Sequence, residues 1–319
     1  MNGKVGNMSV QEMKKDTVGL TKVTDDNLST HVARSFDLIN FKIDRKVESI
    51  IINPNLCYYW DSFTGYTTDP RLVASIIDVL REKYGLDKVN IKIAEADASA
   101  MRTSHAFKML GYERLAEEKH VTLTNLSAER TTTKKVSIMG KEISYEVPES
   151  LLSADLFVNV PKMKIMSATI LTCALKNIFG CIATPRKLAY HPILEEAIVG
   201  INTILKPHLT IVDGMIALSH FPVKMNLLVS GLSPFSVDWT VAKIMGYNPN
   251  RIRFLRLARQ ERLGDPDEMQ IIGENLTDFK NKFPHVNAFR LKWQNKLQLK
   301  LLRTYSKIVD DVIPPFLET

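Results

Sequence analysis

Two lysines one residue apart, Lys162 and Lys164, follow a short apolar run in the stretch DLFVNVPKMKIMSATILTCALKNIFG, residues 155–180. Such a pair offers two kinds of chemistry. As ammonium groups the lysines attract an anion. Where partly desolvated, their pKa falls and the free amine becomes a base. The stretch reads as a buried strand over 155–160, a basic loop over 161–164, and a helix that Ser167 caps and Gly180 closes. A basic loop over a helix start adds free backbone N–H groups and partial positive charge, which together make an anion site.

What positions these lysines is an alternation of strands and helices. Residues 17–23, 49–52, 89–94, 121–125, 209–212, 226–230 and 269–272 have strand character. Between them lie helical patterns. One starts at Asp25 or Asp26, and one at Asp69-Pro70, a capping side chain before a proline at the first helical position. Further helices are expected over 192–205, after Ser233-Pro234, and over 249–263. Gly111 splits a helical segment, and residues 135–147 form a hairpin about Gly140. The pattern predicts an α/β fold of two linked lobes, 1–150 and 151–280, each on a largely parallel sheet, followed by a basic tail, 281–319.

In open parallel sheets, ligands bind beyond the carboxyl ends of the strands. That rule selects one set of side chains. Glu95 and Asp213 end strands, and Lys162 and Lys164 follow another; these four are the candidate catalytic groups. Asn55, Thr67 and Thr68 lie between a strand and the Asp69 helix. With Lys176 and Asn177 of the central helix they are the candidate ligand-binding groups. Each residue also has a plain structural use: a turn for Asn55, a cap approach for the threonines, solvation for the lysines. The joint reading rests on the single geometric rule that picks out the whole set.

Composition narrows the class. Apolar residues make up 45% and charged residues 24%, as in a globular protein, and no apolar run reaches the ~18 residues of a membrane span. No integral membrane role is expected. Three scattered cysteines, Cys57, Cys173 and Cys181, form neither a disulfide framework nor an iron–sulfur motif, and with an N-terminus lacking an apolar core they imply the cytoplasm. The seven histidines show no metal-ligand spacing, and GxGxxG, GxxxxGK[ST] and GxSxG elements are absent, so no metal site and no nucleotide cofactor is expected. The net charge of +7 is concentrated from Lys280 onward, where eight Lys or Arg meet three Asp or Glu. This placement argues against nucleic acid as a partner of the main body.

The phrases NPNL, GYTTDPRLVASIIDVL, MLGYERLA, NVPKMK, ALKNIFG, IVDGMIAL, SVDWTVAKIMGYNP and LGDPDEMQIIGE occur in this order between about residues 47 and 275. Together they resemble the domain-of-unknown-function family 362 of archaea and bacteria. The resemblance implies an α/β fold, and through the cysteine-rich segment of many members it implies redox company; this chain has no such segment. Family members tend to carry a histidine after the second lysine, where this chain has Ile165, and a lysine before the Pro-Asn of the first loop, where it has Asn53. At the level of plan, the N-terminal half also resembles the nickel-pincer lactate racemases.

The expected function is an enzyme, an isomerase or oxidoreductase, acting on a small carboxylate-like anion by lysine-assisted proton or hydride movement. The alternative is a non-catalytic binding or scaffold protein that retains the family fold. In the tail, Phe289, Trp293, Leu297, Leu301, Tyr305, Ile308 and Val312 mark one face of a long helix. That face is expected to dock on the protein's own core and to support a homo-oligomer contact, with an anionic membrane surface as the lesser alternative.

Overall fold

The computed structural model describes residues 16–24, 27–57, 59–99 and 101–287. The tail stripe from Phe289 to Val312, and Asp25 and Asp26, lie outside the described residues.

β1 (Asp16–Lys22) precedes α1 (Leu28–Leu38), whose N-terminus is capped by Asn27, the acceptor for the Thr30 N–H. β2 (Ser49–Pro54) is followed by α2 (Pro70–Tyr84). Asp69 caps α2 by accepting from the Arg71 N–H at 2.9 Å, and Gly85 ends it at φ +68°, a region costly for any residue with a Cβ. β3 (Asn90–Glu95), α3 (Thr103–Met109), α4 (Tyr112–Lys119) and β4 (Thr122–Asn125) come next, with the expected break at Gly111. β5 (Thr131–Ile138) and β6 (Lys141–Pro148) form the expected hairpin, and the short α5 (Glu149–Ser153) leads into β7 (Leu156–Val160).

The central stretch departs from expectation. The basic loop is a strand, β8 (Lys162–Met166), which turns back through β9 (Ile170–Thr172). The helix therefore begins seven residues after Ser167, as α6 (Ala174–Gly180). The cause is long-range: β8 finds β10 (Leu209–Leu218) as a parallel partner, with Lys162 opposite Asp213. For the same reason β10 does not end at Asp213 but continues into a long hairpin with β11 (Pro222–Gly231). Between α6 and β10 in sequence, α7 (Leu194–Ile204) forms as expected. After β11 come α8 (Pro234–Ile244), capped by Ser233, then α9 (Arg253–Gln260), β12 (Met269–Gly273) and α10 (Leu276–Lys280). The single helix expected over 249–263 is divided. A 3₁₀ turn occupies Pro249–Arg251, and Ile252 is extended, at φ −87° and ψ 113°.

The main sheet has the order β12-β1-β11-β10-β7-β2-β3-β4, with β8 and β9 branching from β10. It is parallel from β10 through β4. Antiparallel pairing enters at β11. Strands from both sides of residue 150 thus interleave in one sheet, and separate sheets for 1–150 and 151–280 are not formed. β7 explains why: it is buried along its whole length, with β2 on one side and β10 on the other.

Helices cover both faces, so the inner strands are continuous apolar runs rather than alternating ones. Ile50, Ile52, Val158 and Ile211 pack with residues of α1 and α2, whereas Ile51, Phe157 and Val212 pack with α6, α7 and α8. Burial of each such side chain contributes roughly 1.5–3 kcal/mol.

Candidate functional site

The carboxyl ends of β2, β3 and β7 lie side by side, and the chain beyond β7 carries the two lysines. Lys162 Nζ donates to Asp213 Oδ2 at 2.8 Å, and its other partner is the Ser62 carbonyl at 3.4 Å. Asp213 also receives the Asp69 N–H on Oδ2, at 2.8 Å, and the Met215 N–H on Oδ1, at 3.1 Å. One carboxylate therefore joins β8, β10 and the start of α2. The next residue must be small: a Cβ on Gly214 would sit 2.7 Å from the Leu227 carbonyl oxygen across the hairpin.

Lys164 points into the loop between β2 and α2. Its Nζ donates to Asn55 Oδ1 at 2.5 Å and to the Tyr66 carbonyl at 2.7 Å, and it lies 2.7 Å from Cys57 Sγ. Asn177 of α6 anchors a ring of amides. Its Nδ2 reaches Asn53 Oδ1 at 2.9 Å and Asn159 Oδ1 at 2.8 Å, while its Oδ1 accepts from Asn55 Nδ2 at 2.8 Å. Thr68 Oγ1 accepts from the Asn55 N–H and donates to the Val160 carbonyl, and Thr67 Oγ1 donates to the Trp60 carbonyl. The expected set is brought together, and most of its polar capacity is spent within the protein.

Glu95 is buried at the end of β3. It accepts from the Leu56 N–H at 3.1 Å and the Ala96 N–H at 2.9 Å. Burial still pushes its carboxyl pKa up, against the lowering effect of these N–H groups and of Lys187 and Lys164. Lys176 differs from the other lysines. It is half-buried, and its Nζ donates to Thr172 Oγ1 at 3.3 Å. Desolvation, and then the neighbouring Lys164 charge, bring its pKa down to about 8.

The helix-start anion site is overturned. The first N–H groups of α6 are already occupied: Asp238 of α8 accepts from Ala174 N–H at 2.6 Å and from Leu175 N–H at 3.0 Å. Burial pushes the Asp238 carboxyl up to about 7. A carboxylate supplied by another helix does the work expected of Ser167 and of a ligand.

Sequence reasoning also missed Lys187, Asn159 and Asp238. Lys187 is buried, donates to the Asp97 carbonyl, and has a pKa brought down to about 8 by desolvation, with Glu95 opposing the shift. Nothing in its local pattern signals burial. Asn159 and Asp238 did carry a signal, a polar residue inside an apolar strand and a carboxylate in a helix buried nearly all round. Among the described residues, no three His, Cys, Asp or Glu side chains gather as metal ligands would. A cleft of about 210 Å³, lined in part by Arg45, Asp155, Leu156 and His208, lies at the amino end of β7, away from the lysines.

Fold and site together define an α/β protein with a buried cluster of lysines, carboxylates and amides at the carboxyl ends of parallel strands. Residues 50–243 match the family model described as "Domain of unknown function (DUF362)", and the chain belongs to that family. A thylakoid-associated protein of Synechocystis sp. is 24% identical over 232 residues, covering 68% of each chain. Among solved structures, the lactate racemase apoprotein of Thermoanaerobacterium thermosaccharolyticum is similar over 67% of this chain, with a TM-score of 0.36 and 15% identity. The chain spans about half, 53%, of that structure. The two departures from the family phrases have structural uses. Ile165 packs in the core, and Asn53 hydrogen-bonds Asn177 and, through its Nδ2, the Ala94 carbonyl. Among the described residues, no helix is long and apolar enough to cross a membrane.

Proposed function

We propose that the protein is an enzyme acting on a small carboxylate-like anion, with Lys176 as the group that accepts and returns a proton. The observation that carries this reading is the half-buried Lys176 amine, with its pKa brought down to about 8 beside Lys164. An amine of this kind is partly free base near neutral pH, so it can take a proton at little cost, and in its charged form it attracts a carboxylate. In this reading Lys164 is its charged neighbour, and Lys162, Asp213 and Glu95 complete the proposed set. Asn55, Thr67, Thr68 and Asn177 shape the loop on which a ligand would rest. Isomerisation suits the site better than hydride transfer, because the groups at hand move protons. Free thiols at Cys57, Cys173 and Cys181 suit a cytoplasmic setting.

One observation favours the alternative, a binding or scaffold role without turnover. Lys162 is committed to Asp213, and the Asn177 side-chain amide is bonded to those of Asn53, Asn159 and Asn55. A thermal-shift screen of small 2-hydroxy and 2-oxo carboxylates, on wild type and Lys176→Met, tests the first reading. Binding that needs Lys176, followed by solvent-hydrogen exchange into the bound acid, supports an enzyme. Binding without exchange supports the scaffold, and no carboxylate binding at all removes the anion reading.

A further inference from the structure

Besides Asn55 and the Tyr66 carbonyl, Lys164 Nζ lies against Cys57, and that contact has a consequence independent of any substrate. We propose that Cys57 and Lys164 form a site of oxidative covalent coupling, in which a peroxide joins Cys57 Sγ to Lys164 Nζ.

The geometry carries the inference. Lys164 Nζ lies 2.7 Å from Cys57 Sγ, whereas the same sulfur is 3.9 Å from the Tyr66 carbonyl, and Cys181 Sγ is 3.3 Å from Asn53 Oδ1. The amine is held in place: Lys164 is 1% exposed, and Asn55 Oδ1 and the Tyr66 carbonyl fix its direction. The orientational entropy of a nucleophile meeting its target is thus already lost on folding, which favours reaction between the two. Access selects the cysteine. Cys173 and Cys181 are fully buried, and burial pushes both thiols well above their ordinary range, while Cys57 is half-buried. The group beside the accessible sulfur is an amine rather than a second thiol, so the product is not a disulfide.

The steps balance. The Cys57 thiolate attacks one oxygen of hydrogen peroxide, the O–O bond breaks, and sulfur is oxidised to the sulfenic acid. The departing hydroxide takes a proton from the Lys164 ammonium and leaves as water. The free amine then attacks the sulfenic sulfur, an S–N bond forms, the S–O bond breaks, and hydroxide leaves with the nitrogen-bound proton as a second water. One peroxide is reduced and one thiol oxidised by two electrons. The product is a sulfenamide linking β8 to the loop between β2 and α2, residues 107 apart in sequence. It removes the Lys164 ammonium, one of the two influences that hold the Lys176 pKa down.

Treating the full-length protein with hydrogen peroxide, alkylating the remaining thiols and mapping peptides by mass spectrometry tests the proposal. The expected product joins the Cys57 and Lys164 peptides at about 2 Da below their summed mass, and dithiothreitol separates them. A joined product about 14 Da above that sum, in which a second peroxide has oxidised the sulfenamide sulfur to the sulfinamide with release of water, also supports coupling. Cys57→Ser should abolish both products. If Cys57 is recovered as sulfinic or sulfonic acid with the Lys164 peptide free, or is joined to a different lysine, the proposal is overturned. The wild-type measurement decides the matter even if Cys57→Ser does not fold.

Discussion

Lys162 and Asp213 form an ion pair of 2.8 Å in which the side chains are 1% and 0% exposed. Two charges removed from water in this way are tolerated because each is matched and hydrogen-bonded further, Lys162 to the Ser62 carbonyl and Asp213 to two backbone N–H groups. Breaking the pair differs from replacing it. Asp213→Ala strands a buried ammonium and should destabilise the protein by about 3–5 kcal/mol. The double variant Lys162→Met, Asp213→Leu should lose less than the sum of the two single variants. Urea unfolding of the three variants measures this, and additive losses would contradict a coupled pair.

Asp238 sets a pH dependence. Its carboxyl is pushed up to about 7 from 3.8, so between those values the folded protein holds a proton that the unfolded chain releases. Stability from this group is therefore present at low pH and declines as pH rises through that window. Asp238→Asn should remove this slope. Unfolding free energies of wild type and variant at about pH 4.5 and about pH 7.5 check it. Parallel pH profiles would show that Asp238 does not titrate in this range.

Lys176 titrates low, at about 8 against 10.5 for an ordinary lysine. The folded state sheds this proton before the unfolded chain does, so the group's contribution to stability rises with pH between those values. Acylation of Lys176 by an amine-directed reagent should accelerate with a midpoint near 8, below that of exposed lysines. Lys164→Met should move the midpoint upward only in part, because desolvation is the larger cause. Peptide-resolved labelling rates read both outcomes.

Glu196 shows the opposite shift. Hydrogen bonds from Arg253, helped by Lys141, hold its carboxyl down to about 2, with Arg253 Nη2 2.8 Å from Oε1 and Nη1 2.9 Å from Oε2. The resulting stability is present above about 4.5 and is lost as pH falls toward 2. Because Arg253 begins α9 and Glu196 lies on α7, Arg253→Ala should loosen that contact by about 1–3 kcal/mol and flatten acid sensitivity. Acid unfolding followed by circular dichroism distinguishes the two proteins.

Much of the fold was legible locally. Asp69-Pro70 announces α2, Gly85 its end, Gly111 the break between α3 and α4, and Gly140 the β5–β6 turn, because capping and turn geometry depend on residues within a few positions. The Ile50–Ile52 run reads as a buried strand because both its faces are covered. Glu95 ends β3 as the strand-end rule expects, whereas Asp213 lies inside β10 and Lys162 and Lys164 lie inside β8. The partners of these groups were not legible. That Lys162 meets Asp213, that Lys164 meets Cys57, and that Asp238 rather than Ser167 caps α6 depends on contacts spanning 51, 107 and 64 residues. So does the strand at residues 162–166, which pairs with β10 on one side and β9 on the other. Local pattern encodes backbone conformation and which side chains are apolar. Which charge is neutralised, and which lysine is left with a lowered pKa, is decided by burial and by neighbours that only the folded chain brings within reach.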